Sequence, residues 1–277
     1  MITSTANARI KQLRRLLREG GATSNKCALI EGVKLVQEAI QSQIGIEELF
    51  VSEERRHDPS IQQIIAEVVR SGGQLTAVSK RLFASLSDTE SPQGVIALGK
   101  LPVFELNRLL KGSPLLVVGL GIQDPGNVGT LLRSSEAFGA SAVLFTRNSA
   151  CPWSPKVIRA SAGSVFSLPC LDQLDSSSLV SLLQREGFTL IATGPRSDLD
   201  FRCVSYLGRT ALLVGNEARG LDAVILQRAD HRVRIPMNDQ VDSLNAAISA
   251  AIILCEAARQ RHSDMNLAQP PEYQTQP

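Results

Sequence analysis

From Leu115 onward, short apolar runs alternate with helical patterns, and this alternation constrains the fold more than any other feature of the chain. The runs are Leu115–Leu120, Ala142–Phe145, Val165–Leu168, Leu190–Thr193, Ala211–Val214 and Arg232–Ile235. Helical patterns fall between them at Val128–Phe138, Leu179–Glu186 and Leu221–Gln227, and a longer helix is expected from Leu244 to Gln260. Most of the runs show no polar alternation, so both faces of each strand are expected to be covered. Parallel strands with crossover helices meet that requirement. The expected fold class is α/β, with a mostly parallel sheet in the C-terminal part.

The first hundred residues read as a smaller α/β unit. Strands are expected at Lys26–Ile30, Leu49–Val51, Leu75–Val78 and Val95–Leu98, with helices at Gly32–Gln41 and Ile61–Arg70. The domains are expected at 1–105 and 106–262, followed by a polar, Pro-rich tail at 263–277 that reads as disordered. With 277 residues and 43% hydrophobic composition, the chain can build one large or two modest cores. The most apolar run, Ala246 to Cys255, is too short to span a bilayer. The N-terminus has no apolar stretch of the signal-peptide type, so the cytoplasm is the expected compartment. Neither the five scattered cysteines nor the three histidines fall at metal-ligand spacing, and no metal is expected.

Residues 8–18 form an amphipathic helical pattern. At about 100° per residue, Ile10, Leu13, Leu16 and Leu17 share one side, and Lys11, Arg14, Arg15 and Arg18 share the other. The stretch from Arg9 to Arg18 carries +5 with no acid, although the whole chain carries only +2. Such a face is either solvated surface or a contact for phosphates.

Two glycine patterns imitate nucleotide sites. Gly94-Val-Ile-Ala-Leu-Gly99-Lys100 is most of a P-loop, but Leu101 stands where a magnesium-binding Ser or Thr is needed. Gly119-Leu-Gly121 opens like a dinucleotide fingerprint, but Asp124 stands at the third glycine. ATP and nicotinamide chemistry are therefore poorly supported.

Three blocks carry the functional signal. The first runs from Asp124 to Gly139, where a strand ends in a Pro-Gly turn and a helix follows. Asn127 is expected to cap that helix, Gly139 to end it, and Arg133 sits near its middle. The second, Leu212-Leu-Val-Gly215-Asn216-Glu217-Ala-Arg-Gly220, takes an apolar strand straight into a glycine and a carboxylate. Gly215 there would let a ligand approach the backbone closely. The third is Arg234-Ile235-Pro236-Met237-Asn238 and then Ser243-Leu244-Asn245. Asp242 or Ser243 is expected to cap a final helix opened by small residues, Ala246 to Ala251. Each block alone also has a purely structural reading as a turn.

In this order and spacing the blocks resemble the SpoU family of SPOUT methyltransferases. The matches are Asn127, Gly129, Arg133 and Ala137–Gly139, then Gly215, Glu217 and Gly220, then Ile235–Met237 and Ser243–Asn245. Ser154 to Gly163 is similar to the family's central stretch. Glu31-Gly-Val and Thr89 to Gly94 resemble the substrate-binding domain that precedes the catalytic domain in many members. The resemblance implies a small ribosomal-protein-like N-terminal domain and a catalytic domain with a trefoil knot, a rare departure from unthreaded connections. It implies S-adenosylmethionine as cofactor, held by Thr193, Gly194, Gly215, Ile235, Met237 and Leu244. It implies methylation of an RNA ribose 2′-hydroxyl, with Arg133 as activator, Asn127 orienting Arg133 or the ribose, Glu217 ordering the RNA-facing loop and Asn245 supporting the site. A homodimer packing the final helix is implied too. The basic face of Lys11, Arg14, Arg15 and Arg18 then reads as an RNA contact. Ribosomal RNA of the 23S type is the favoured substrate; transfer RNA, and an RNA-binding module without catalysis, are the alternatives.

Overall fold

The computed structural model describes residues 1–18, 20, 27–89, 91–194, 197 and 199–263. Lys26, Glu90 and the tail from residue 264 fall outside the described residues, so the disorder expected of the tail does too.

The N-terminal part contains α1 (Ala8–Arg18), β1 (Cys27–Glu31), α2 (Val33–Gln41), β2 (Ile46–Ser52), α3 (Pro59–Arg70), β3 (Gln74–Val78), α4 (Lys80–Ala84) and β4 (Val95–Lys100). The strands form one sheet in the order β1-β4-β2-β3, with β4 antiparallel to both its neighbours and β2 parallel to β3. Side chains alternate across it with period two. Leu29, Phe50, Ile96 and Leu98 face α1, which buries Ile10, Leu13 and Leu16 there. Each such side chain contributes about 1.5–3 kcal/mol. Leu17, expected on the same stripe, stays half-buried. Ala28, Ile30, Val95 and Ala97 face the other way, toward Val36 and Ala39 of α2 and Ile61, Ile64 and Val68 of α3. The P-loop imitation is therefore the central strand β4, and a side chain at Gly99 would begin 2.7 Å from Ile30 Cδ1.

The C-terminal part contains α5 (Leu106–Leu109), β5 (Leu115–Gly119), α6 (Pro125–Ala137), β6 (Ala142–Thr146), α7 (Pro155–Ala160), α8 (Ser164–Ser167), β7 (Cys170–Leu174), α9 (Ser176–Arg185), β8 (Thr189–Thr193), β9 (Leu199–Asp200), β10 (Thr210–Val214), α10 (Ala223–Arg228), β11 (His231–Arg234) and α11 (Ala246–Ser263). Its sheet runs β7-β6-β5-β10-β8-β11-β9, and every pairing is parallel. Leu116, Val118, Leu144, Leu190, Ala211 and Leu213 pack under Leu179, Val180 and Leu183 of α9 and Ile225 of α10. Val117, Val143, Ile191, Leu212 and Val233 pack against Val128, Leu131 and Leu132 of α6 and Ala250, Leu254 and Ala257 of α11. The expected two-sided burial is what the sheet shows. No helix of the described residues is long and apolar enough to cross a membrane.

The strand expected at Val165–Leu168 is helix α8. Ala162 and Gly163 take left-handed φ values of 51° and 94° and fold the chain back after α7, so Val165 and Phe166 enter the core from a helical turn. Four apolar residues are compatible with either element. The strand at this place is β7, an edge strand whose half-exposed Leu-Asp-Gln-Leu hid it from an apolar-run criterion.

The two parts pack together through α7 against β1, and Arg159 Nη2 of α7 donates to Asp88 Oδ2 of the N-terminal part at 2.8 Å.

Candidate active site

The order β5-β10-β8-β11 sets the carboxyl ends of four parallel strands side by side. In open parallel sheets ligands bind outside those ends. Gly119-Leu120, Gly215, Thr193-Gly194 and Ile235 follow or close the four strands and so come together. Backbone bonds tie them: Leu120 N donates to Val214 O at 2.8 Å, and Gly194 N to Val233 O at 3.0 Å. Thr193 Oγ1 donates to Leu213 O at 3.2 Å. The segment after β11 adds half-buried Ile235 and Met237, then Val241 and Leu244, which remain 46% and 37% exposed. An edge with open apolar side chains and backbone polar groups suits a flat heteroaromatic ring.

Gly215 owes its identity to a different contact from the one expected. A Cβ there would stand 2.4 Å from Gly220 C and 2.6 Å from Leu221 N. The atoms that approach it belong to its own loop, which closes through Asn216 N to Gly220 O at 3.1 Å and Gly220 N to Asn216 O at 2.8 Å. The tight loop presents Glu217 outward.

The three blocks meet in a chain of side-chain hydrogen bonds. Asn245 Nδ2 donates to Asn127 Oδ1 at 2.7 Å, and Asn127 Nδ2 donates to Glu217 Oε1 at 2.8 Å. Glu217 also receives the amides of Gln123 and Asp124, at 3.4 and 3.5 Å. Asn216, to which sequence reasoning gave no role, donates to Gly121 O at 2.8 Å and to Glu217 Oε2 at 3.3 Å, while its Oδ1 receives the amides of Ala218 and Arg219. The available signal was an Asn directly after a strand-ending glycine, a position that favours side-chain-to-backbone turns.

Two caps differ from expectation. Asp124, not Asn127, caps α6: its Oδ1 accepts from Asn127 N at 2.9 Å, with Pro125 in the first helical turn. Asn245, rather than Asp242 or Ser243, caps α11, its Oδ1 accepting from Ala247 N and Ile248 N at 2.9 and 3.1 Å. Pro is pre-organised for the first helical position, which puts the cap one residue earlier. Relieved of capping, the Asn127 amide is available to bridge the other two loops.

Arg133 stands apart. It is exposed, and among the described residues it forms no hydrogen bond or ion pair. It lies six residues after Asn127, about 9 Å along the helix and about 120° around it. Asn127 therefore does not hold Arg133; it holds the loops. Gly129, one turn before Arg133 on the same face, meets α7 so closely that a Cβ would lie 2.3 Å from that of Ala160.

The basic face of α1 is outward-facing as expected. Lys11, Arg15 and Arg18 are exposed and Arg14 is half-buried, donating to Ser85 Oγ at 2.9 Å. Arg18 reaches back to Arg14 O at 3.4 Å. Arg9 turns inward, to Glu48 and Thr76. Elsewhere, Arg202 forks onto Asp200, and Arg259 onto Glu256; these hydrogen bonds hold each carboxyl down to about 2.

Residues 114–255 match the SpoU rRNA Methylase family model, and residues 7–97 match the MRM3-like substrate binding domain. An uncharacterised tRNA/rRNA methyltransferase of Synechocystis is 34% identical, with 94% of each chain covered. The 23S rRNA (guanosine(2553)-2′-O)-methyltransferase RlmP of Bacillus subtilis is 30% identical over 91% of this chain and 97% of its own. The AdoMet-bound rRNA methyltransferase from Sinorhizobium meliloti superposes with a TM-score of 0.84 at 28% identity, covering 96% of this chain and 98% of that one.

Proposed function

The chain belongs to the SpoU rRNA methylase family, and we propose that it methylates a ribose 2′-hydroxyl in 23S-type ribosomal RNA, using S-adenosylmethionine. The observation that carries this reading is the pairing of a braced strand-end cleft with an arginine, on the helix that leaves it, that has no partner among the described residues. Relatives named for 23S rRNA that align along nearly the whole chain support the choice of RNA.

The strand-end residues suit the cofactor's shape and polarity. Ile235, Met237 and Leu244 offer apolar walls, Gly194 leaves backbone half-exposed, Gly215 lets the 216–220 loop close tightly beside it, and Thr193 closes one side. The cofactor, when bound, supplies a methyl group on a sulfonium. Methyl transfer is an in-line displacement, so holding the ribose at the right angle and distance provides much of the rate. Asn127, Glu217 and Asn245 fix three loops to one another and so set that geometry. A guanidinium stays protonated, so Arg133 is not a simple base. It binds the phosphate beside the target ribose and polarises the 2′-hydroxyl, whose proton leaves to water as the oxygen takes the methyl group.

The proposal includes a knotted course. β11 lies between β8 and β9, so the last strand enters the span that leaves β8 and returns at β10. The helix that follows is tied to that span, with Arg261 Nε donating to Tyr206 O and Gln260 Oε1 receiving Tyr206 N. It also includes a homodimer. Val241, Leu244 and Ile248 are exposed apolar side chains at the start of α11, and Cys255, two turns past Ile248, is exposed as well. A second copy crossing there would cover them. The cytoplasm, where ribosomal RNA is made and assembled, is the proposed compartment.

The test is transfer from labelled S-adenosylmethionine into separated, unmodified ribosomal and transfer RNA. Label in 23S rRNA at an alkali-resistant linkage is the expected result. Label confined to transfer RNA overturns the substrate, and alkali-labile or base-borne label overturns the reaction.

A further inference from the structure

The short helix α7 lies between the two domains and is fastened to each. On the N-terminal side it packs against β1, and Arg159 Nη2 donates to Asp88 Oδ2 at 2.8 Å. Among the described residues Asp88 is the one side chain that engages the Arg159 guanidinium, whose Nη1 is buried without a partner. Just after α7, Gly163 turns at a φ of 94° so close to α2 that a Cβ would lie 3.3 Å from Glu38 Cβ.

Asp88 is itself held in place. Glu31, at the end of β1 and buried, accepts Asp88 N at 3.1 Å, Thr89 Oγ1 at 2.9 Å and Ser87 Oγ. A buried carboxylate bonded to three donors of one loop fixes that loop against the sheet. Asp88 therefore meets Arg159 from a rigid base. An ion pair between two mobile side chains would fix nothing.

On the catalytic side α7 reaches the site by two routes. Its last residue, Ala160, presses on α6: a Cβ at Gly129 would lie 2.3 Å from Ala160 Cβ and 2.8 Å from Ser161 N. Gly129 is one turn before Arg133 on the same helix. At the start of α7, Ser154 N donates to Cys151 O at 3.1 Å. The loop before it is tied to the strand-end loop by Ala150 N to Ile122 O at 2.8 Å and by Ile122 N to Ser149 Oγ at 3.2 Å. The next residue, Gln123, gives its amide to Glu217. Contacts packed this closely pass a displacement on instead of absorbing it.

We propose that Asp88 is a positioning residue for methyl transfer. By holding Arg159 it sets α7, and through α7 it sets the helix that carries Arg133 and the loop that Glu217 braces, in a fixed place relative to the N-terminal domain. RNA held by that domain then presents its ribose hydroxyl to the methyl donor in line. A misplacement of about 1 Å that originates far from the chemistry can lower a rate about 10²-fold. The inference rests on the reading above that the chain methylates RNA.

The test is Asp88→Ala, with single-turnover transfer measured at saturating 23S rRNA transcript and binding measured separately. The maximal transfer rate should fall about tenfold, while Kd for the transcript and for S-adenosylmethionine stays within about twofold. Arg159→Ala should lose a similar factor, and the double variant should be no slower than either single one, because each removes the same link. Asp88→Asn keeps an oxygen acceptor for Arg159 and should recover most of the rate. A loss of fold stability alone would lower the thermal midpoint and leave the rate of the folded protein intact. Hydrogen exchange reads the link without activity. In Asp88→Ala the amides of Ile158, Ser161 and Ala150, bonded to Ser154, Val157 and Ile122, should exchange faster, while those of β2 and β4 keep wild-type protection. A maximal rate within twofold of wild type, or additive losses in the double variant, overturns the positioning role and keeps the reading. Unchanged exchange at those three amides overturns the link itself. Wild-type protein that methylates no RNA, with faster exchange at α7 in Asp88→Ala, sinks the reading and keeps the link.

Discussion

Two regions of the same edge treat their polar groups in opposite ways. Where loops 121–127 and 216–220 meet Asn245, the side chains of Asn127, Glu217, Asn216 and Asn245 are bonded to one another or to backbone. On α6 beyond them, Arg133 has no partner among the described residues. The first region is a brace whose groups are already engaged before any ligand arrives. The second is a charge with its whole hydrogen-bonding capacity left for a substrate. Residues that sit together in one sequence motif, such as Asn127 and Arg133, are therefore placed differently: one is bonded into the site, and the other is left exposed for the role proposed for it.

Removing the centre of the brace should have the largest effect among the loop residues. Glu217→Ala strips an acceptor from Asn127, Asn216 and two amides, and is expected to lower kcat/KM for RNA about 10²-fold, near 2.7 kcal/mol, while also weakening the cofactor. Steady-state transfer and calorimetric titration measure both, and an unchanged cofactor affinity would separate Glu217 from the brace. Next comes a double-mutant cycle between Asn127→Ala and Asn245→Ala. Coupling of about 0.5–3 kcal/mol in the transfer barrier is expected, because the two share a bond at 2.7 Å. Additive effects would show that the bond does not matter.

On the substrate-facing side, Lys11→Glu with Arg15→Glu should reduce 23S rRNA affinity and lower the slope of log K against log salt by about 0.7–0.9 for each phosphate no longer neutralised. Filter binding at several salt concentrations reads this, and an unchanged slope would make the face plain solvated surface. The smallest effect is expected at two exposed ion pairs. Asp200 and Glu256 both have folded values near 2, below their ordinary 3.8 and 4.5. A depressed carboxyl contributes stability above its unfolded value, and that contribution is lost as pH falls through the folded one. Stability should therefore decline from about pH 4.5 toward 2, and Glu256→Gln should shallow that decline in a melting-temperature series.

Much of the fold was legible in the sequence, while the division at the site was not, and the exceptions have physical causes. Apolar runs at Leu115–Leu120 and Ala211–Val214 became neighbouring parallel strands because their composition permits nothing but two-sided burial. Val165–Leu168 misled because a fully buried helical turn and a fully buried strand look alike over four residues. At α6, Asp124 and Asn127 are equally good caps by type, and only Pro125 distinguishes them. The capping role decides whether Asn127 has a free amide, so the brace was not readable until the cap was known. Gly215 reads in the sequence as room for a ligand, but the atoms that demand a glycine there belong to Gly220 and Leu221 of its own loop. The isolation of Arg133 could not be read at all, since it depends on which side chains a fold leaves out of reach.

The central claim is that Arg133 acts on the substrate while the brace only holds the site. The direct test is Arg133→Ala, assayed for single-turnover transfer into 23S rRNA and, in parallel, for S-adenosylmethionine binding. Transfer should be abolished while cofactor affinity stays within about threefold, roughly 0.7 kcal/mol. Normal turnover by the variant would contradict the account, and so would a collapse of cofactor binding equal to the loss of transfer.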